Sequence, residues 1–211
     1  MDQYEERRIT TARVLLIGAG PLCSAVTKHL LNHGLRRFVI ADQTPGAADA
    51  LAWELMGKGV SCSSYSGSLR SMDGWNFEVI VCCNADLDTR LFANLRAKQY
   101  TVCLVDGIVS GKRGRAQVVT SSGPCLQCVL SSRSAGVLEE PDPGTIEVLG
   151  GIMADMAVLI AKGRPLDCIP GVIYIEGPNS PIIVLDAGIS PACPYHKIND
   201  WHNKWGEEDG N

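Results

Sequence analysis

Val14-Leu15-Leu16-Ile17-Gly18-Ala19-Gly20-Pro21-Leu22 decides the fold class of this chain. Arg13 to Ile17 is a short, nearly continuous apolar run, the pattern of a strand buried on both faces of a parallel sheet. The Gly18-Ala19-Gly20 turn that ends it lets the backbone approach a phosphate closely, where the amides and dipole of a following helix stabilise negative charge. That helix is predicted from Leu22 to about Asn32, with Gly34 as its stop. The turn departs from the dinucleotide fingerprint: Cys23 stands where the third glycine would be, and Pro21 follows Gly20. Asp42 closes the second strand and is placed to accept hydrogen bonds from ribose hydroxyls. A nicotinamide dinucleotide would use the same turn, so the turn alone selects no reaction.

Working outward, strands and helices alternate. Arg37 to Asp42 reads as the second strand, broken by Thr44-Pro45-Gly46 before a helix through Leu51, Leu55 and Met56. Phe77 to Cys83 and Tyr100 to Val105 read as further buried strands, with an amphipathic helix from Asp88 to Lys98 between them. Later, Ala116 to Thr120, Gly171 to Ile175 and Pro181 to Leu185 are strand candidates bounded by Gly, Pro, Asn and Ser, expected to be antiparallel. Ile146 to Ala161 predicts a mostly buried helix, and Lys197 to Asn211 a polar, acidic end. The fold class is therefore α/β: a doubly wound, Rossmann-like, mostly parallel sheet continuing into an antiparallel C-terminal part.

Composition narrows the partners. With 211 residues and 45% hydrophobic content the chain can bury a full core. A net charge of −4, a pI of about 5.6 and no basic run give no electrostatic reason for a nucleic-acid or membrane partner. Met1 to Arg8 is too polar for a signal peptide, and no apolar run approaches the roughly 20 residues of a membrane helix. Nine cysteines, an odd number scattered through apolar strands, fit reduced thiols in a reducing compartment and a cytoplasmic location.

Two pairs far apart in sequence carry a metal signal: Cys125-Leu126-Gln127-Cys128 and Cys193-Pro194-Tyr195-His196. Each puts two ligands on one tight turn, and together they would make a closed tetrahedral site of three sulfurs and one nitrogen. That set suits structural Zn2+ and leaves no open position. Buried thiols and a surface turn are the plainer alternatives. A redox Cys-x-x-Cys would open a helix in a thioredoxin-like pattern, whereas this one follows a strand and Gly123-Pro124.

In combination these residues resemble the ThiF, MoeB and HesA group of ubiquitin-activating-enzyme-like adenylyltransferases. Val14 to Leu22 is similar to the group's opening motif, and Cys83-Asn84-Ala85-Asp86-Leu87-Asp88-Thr89-Arg90 to its Cys-Thr-Asp-Asn-x-x-Thr-Arg segment. Gly123 to Cys128 is similar to its first zinc pair, and Ser134 to Leu138 to the stretch after it. Ala192-Cys193-Pro194-Tyr195-His196 stands where its last Cys-Pro-x-Cys would be, with His in place of the final Cys. The likeness runs collinearly from 12 to 196. It implies one nucleotide-binding domain over 1–211, with a Rossmann-like half (1–122), a zinc-bearing half (123–196) and a polar tail (197–211). It further implies a homodimer that binds ATP and Mg2+ and transfers AMP to a carboxylate with release of pyrophosphate. On that reading Gly18, Ala19, Gly20 and Pro21 flank the phosphates, Asp42 the ribose, and Asn84 and Arg90 the nucleotide, while Asp86 holds Mg2+. Asp86 equally fits the carboxylate that starts a helix.

The departures from the group bear on activity and substrate. Its Ser-Asn-Leu-x-Arg-Gln motif after the second strand and the Lys on the next helix are missing, as is the longer N-terminal arm. Its magnesium Asp falls on Ala85. Ser132 stands where some sulfur-transfer members carry a reactive cysteine, which argues against a thioester or persulfide step. The compact size points to a small-molecule carboxylate, as in the short HcgE-type members that activate a pyridinol carboxylate in cofactor assembly. The alternatives are the C-terminal glycine of a ubiquitin-like or sulfur-carrier protein, an inactive binding scaffold, and an NAD(P)-dependent oxidoreductase. Lys112, Arg113 and Arg115, read as a Gly-rich loop, are candidates to replace the lost phosphate contacts or to meet an anionic substrate.

Overall fold

A computed structural model describes residues 3–130 and 139–196. Eight strands form one sheet in the order β3-β2-β1-β4-β5-β6-β7-β8. β1 (Val14–Ile17), β2 (Arg37–Asp42), β3 (Ser61–Ser66), β4 (Val79–Cys83) and β5 (Cys103–Ser110) are mutually parallel where they pair. β6 (Arg113–Val119), β7 (Val172–Ile175) and β8 (Ile183–Leu185) continue the sheet antiparallel. The α/β class, the parallel half and the antiparallel continuation expected from sequence are all present.

Helices cover both faces. On one lie α1 (Gln3–Thr11), α2 (Pro21–Asn32), α3 (Ala47–Met56) and α6 (Pro143–Ala161), which share a core with Val14, Leu16, Ile40, Val79, Val81 and Val105. On the other, α4 (Leu87–Gln99) and the one-turn α5 (Leu126–Val129) pack on Leu15, Ile17, Ile80 and Leu104. Successive residues of β1 thus serve opposite cores, which is why its sequence shows no polar alternation. α6 is 19 residues long and apolar enough to cross a membrane by composition, but 61% of that window is buried in the protein. Gly150 is what seats it: a Cβ there would come within 2.8 Å of the Ala25 Cβ on α2. The two helix backbones approach closely because neither side chain extends beyond a methyl group.

Several boundaries differ from the sequence expectation. β3, Ser-Cys-Ser-Ser-Tyr-Ser, has no apolar pattern and was not predicted; it is an exposed edge strand held by its parallel ladder to β2. The strand expected from Tyr100 begins at Cys103, because Tyr100 caps α4 and Thr101 takes a left-handed φ of 55°. It then runs on to Ser110 in a hairpin with β6, so Arg113 and Arg115 belong to a strand and not to a loop. Cys125 is the N-cap of α5, so the Cys-x-x-Cys does open a helix, though one of a single turn. Ser132, Ser134 to Leu138, and the polar end from Lys197 to Asn211 lie outside the described residues.

Candidate functional site

The order of strands reverses at β1: β2 and β3 lie to one side of it and β4 to the other. In an open parallel sheet such a switch point leaves a crevice at the carboxyl ends of the strands. A cavity of about 270 Å³ occupies that place, lined by Gly18, Gly20, Asp42, Asn84, Ala85 and Asp86 among others. No Lys or Arg is among its described lining residues.

Gly18 has φ +89°, and a Cβ on it would collide with the Cys83 carbonyl oxygen. The β1–α2 turn therefore lies directly on the end of β4, an approach only glycine permits. Gly20, the N-cap of α2, has nothing within 4 Å of where a Cβ would be, so its α-carbon faces open space. Pro21 takes the first helical position, where its missing N–H costs nothing. It faces away, into a separate groove between α2 and α3.

The expected ligand contacts of Asp42 and Ala19 are partly spent on each other. Asp42 Oδ2 accepts the Ala19 N–H at 2.6 Å, and Oδ1 accepts the Thr44 N–H at 2.7 Å. Asp42 thus braces the glycine turn, and the Ala19 amide is not free for a phosphate. Each carboxylate oxygen keeps a further acceptor site towards the cavity.

Asn84 and Arg90 also have structural tasks. Asn84, at φ 53°, extends the β4–β5 pairing by two side-chain bonds: Nδ2 donates to Val109 O at 3.0 Å, and Oδ1 accepts the Val109 N–H at 2.6 Å. Arg90 is buried and bound bidentately by Asp106, away from the cavity lining. Where the sequence places Arg90 at the nucleotide as an expectation, the fold turns its Nε and Nη2 donors to a buried carboxylate. Asp86 is the N-cap of α4, accepting from the Thr89 amide at 3.0 Å and the Thr89 hydroxyl at 2.5 Å. Burial alone would raise its pKa, but these hydrogen bonds prevail and hold the carboxyl below the usual 3.8. It is ionised, exposed at the rim, and able to serve both as cap and as a cation ligand. Gln43, which sequence reading passed over, donates to Thr89 Oγ1 at 2.7 Å and ties β2 to the start of α4.

The second feature is the metal cluster. The ligand atoms of Cys125, Cys128, Cys193 and His196 all lie within 4.8 Å of one another. Cys125 Sγ is 3.7 Å from Cys128 Sγ and 3.5 Å from Cys193 Sγ, far beyond a disulfide bond. Zinc–sulfur bonds of about 2.3 Å at tetrahedral angles separate sulfurs by about 3.8 Å, so the spacing suits that ion. His196 Nε2 is buried without a hydrogen-bond partner among the described residues. Burial and then the nearby Lys98 charge lower the His196 pKa, favouring the neutral imidazole that ligates a metal. The residues present therefore fit the group.

The surroundings of the cluster are equally specific. The Ser190 N–H points at Cys128 Sγ, 3.4 Å away, and Asn94 Oδ1 accepts the Leu126 N–H at 2.9 Å, which fixes the Cys-x-x-Cys turn on α4. Lys98 donates to the carbonyls of Ser121 and Gly123 at 3.0 and 2.9 Å and places an ammonium beside three sulfurs. Three thiolates around one divalent ion would leave a net charge of −1, which this cation would offset. All nine cysteines are free.

A family model described as "Shikimate / quinate 5-dehydrogenase" matches residues 2–98, the part from α1 through most of α4. Over nearly its whole length, however, the chain is similar in fold to Escherichia coli MccB. The MccB complex with ATP aligns at a TM-score of 0.74 with 13% identity, over 91% of this chain and 69% of MccB. The complex with AMPCPP and selenomethionyl MccA aligns at 0.70 with 12% identity, over 90% and 68%. The microcin C7 biosynthetic enzyme MccB with N-formylated MccA aligns at 0.75 with 12% identity, over 91% and 69%. The eight-stranded sheet and its antiparallel extension are thus a shared fold.

Proposed function

We propose that this protein adenylates a carboxylate at the expense of ATP. A carboxylate oxygen would attack the α-phosphorus of ATP, the bond from that phosphorus to the bridging oxygen would break, and pyrophosphate would leave. The acyl-adenylate that remains turns a poor electrophile into a reactive one. The observation that carries the reading is the switch-point cavity with Gly20 open above it and two carboxylates, Asp42 and Asp86, at its edges. MccB, which shares the fold, has been crystallised with ATP.

Within that reading the ribose lies against Asp42, and the phosphates lie over Gly18, Ala19 and Gly20 at the N-terminus of α2. Mg2+ would supply positive charge to a phosphate site whose described lining residues include no lysine or arginine, and Asp86 is the residue offered to hold it. Asn84 keeps the floor of the cavity in place, and Arg90 holds the first turn of α4 through Asp106. Zn2+ on Cys125, Cys128, Cys193 and His196 is structural: it clamps two distant segments onto α4 and performs no step. We read the chain as one nucleotide-binding unit acting as a homodimer.

For the substrate, a small-molecule carboxylate of the kind activated by HcgE-type proteins is the first reading. The MccB complexes with MccA keep a peptide or ubiquitin-like C-terminus as the second reading. The match of residues 2–98 to shikimate / quinate 5-dehydrogenase favours a third, an NAD(P)-dependent oxidoreductase. Calorimetric titration of Mg-ATP and of NADPH separates them. Adenylation predicts ATP binding and carboxylate-dependent exchange of labelled pyrophosphate into ATP. NADPH binding without ATP binding would overturn it.

A further inference from the structure

We propose that Arg115 binds the carboxylate of the acid that this site activates; the inference rests on the adenylation reading and adds to it the anchor of the second substrate.

The observation is an unbalanced cation on a sheet face. Asp106, Arg115 and Gln117 project to the side of the sheet that carries α4, since Asp106 pairs with Gln117 across β5–β6 and Arg115 lies two residues from Gln117. Asp106 is committed to Arg90 by two hydrogen bonds. Arg115 Nη2 donates to Gln117 Oε1 at 2.5 Å, a neutral acceptor, and Arg115 Nε is buried with no hydrogen-bond partner among the described residues. A largely buried guanidinium without an anion is costly, and one carboxylate cannot neutralise two arginines. Burial pulls the Arg115 pKa down, with the Asp106 charge opposing, but a guanidinium stays protonated throughout the working range. The unsatisfied Nε belongs to the edge of the guanidinium that grips a planar carboxylate in a two-bond fork.

Position selects a carboxylate over the nucleotide phosphates. β1 and β6 are separated by β4 and β5, so three strand spacings, about 14 Å, lie between the glycine turn and Arg115. An arginine side chain does not span that distance. It does reach the region beside Arg90, whose neighbour Thr89 lines the cavity next to Asp86. An acid held there faces the nucleotide from the β5–β6 side. Arg113, two residues earlier on the same face, is exposed and has no such constraint.

The test uses the full chain, Arg115→Gln and Arg115→Lys. Nicotinate, benzoate and N-acetyl-Gly-Gly are titrated calorimetrically into protein saturated with AMPCPP and Mg2+, with a Mg-ATP titration of each variant in parallel. The expected result is that at least one acid binds the wild type and that Arg115→Gln weakens it roughly 50-fold or more. Arg115→Lys restores part of the loss, while Mg-ATP affinity stays within about twofold. Equal carboxylate binding by wild type and Arg115→Gln overturns the proposal, as does no binding of any of the three acids by the wild type. An equal loss of ATP binding also overturns it, by showing a phosphate or purely structural role. If the wild type binds no Mg-ATP, the adenylation reading fails by itself, and the same titrations without nucleotide decide Arg115. Should Arg115→Gln fail to fold by circular dichroism, the change of carboxylate affinity in Arg115→Lys is the deciding readout.

Discussion

Arg90 and Asp106 form a buried, two-pronged ion pair: Nε to Oδ1 at 2.9 Å and Nη2 to Oδ2 at 2.6 Å, with side chains 5% and 1% exposed. It joins the first turn of α4 to the middle of β5 and so fixes the helix whose N-cap, Asp86, stands at the cavity. Burial on its own would lower the Arg90 pKa, but Asp106 prevails and raises it. Such a pair is costly to break from one side, because the survivor keeps its charge out of water.

Asp106→Asn is therefore expected to destabilise the fold by about 3–5 kcal/mol in urea unfolding at neutral pH. The apolar double replacement Arg90→Met with Asp106→Leu should cost less than the single change. A single change as mild as the double would show that the pair is not held as described.

The two glycines of the nucleotide turn should separate folding from binding. Gly18→Ala meets both a positive φ and the Cys83 carbonyl, and should cost at least about 2 kcal/mol of stability. Gly20→Ala has an ordinary φ of −84° and open space, so its stability should stay within about 0.5 kcal/mol of wild type. Its methyl group projects where a phosphate would lie, and Mg-ATP affinity should fall roughly tenfold, or 1.4 kcal/mol. Undiminished ATP binding by Gly20→Ala would remove the phosphates from this turn.

Metal content can be read directly. Purified protein should carry one zinc ion per chain by elemental analysis, and Cys128→Ser or Cys193→Ser should lose it. Stripping with a strong chelator should lower the melting temperature by about 5 °C or more, reversed by zinc. The effect should survive in Gly20→Ala, since the clamp and the nucleotide turn lie on different parts of the sheet.

Thr89→Val keeps the backbone bond to Asp86 but removes the hydroxyl one, so the Asp86 pKa should rise towards 3.8, measurable by carboxyl NMR. Because the wild-type value is depressed on folding, the hydroxyl bond's contribution is present above the ordinary carboxylate pKa. It is lost as pH falls through the lower folded value. The stability gap between wild type and Thr89→Val should thus narrow below pH 3.8 in acid unfolding curves. A gap that persists unchanged at lower pH would mean that the loss lies elsewhere, for example in the Gln43 bond to Thr89.

The sequence by itself determined the α/β class and the placing of its turn. Val14 to Ile17 is apolar on every residue because both faces are covered, and Gly18 marks a place where backbone must touch backbone. It also showed the two ligand pairs, since x-x spacing puts two donors on one turn whatever the fold. It was silent on β3, whose serines form a strand only because β2 offers an edge, and on the length of the β5–β6 hairpin, which moved Arg115 from a loop to a buried face. Only the tertiary structure decided that Asp42 braces Ala19, that Arg90 answers Asp106, and that Arg115 has no ion-pair partner among the described residues. Those relations join residues from separate strands and helices, and a long-range pairing of charges leaves no periodicity along the chain from which it could be read.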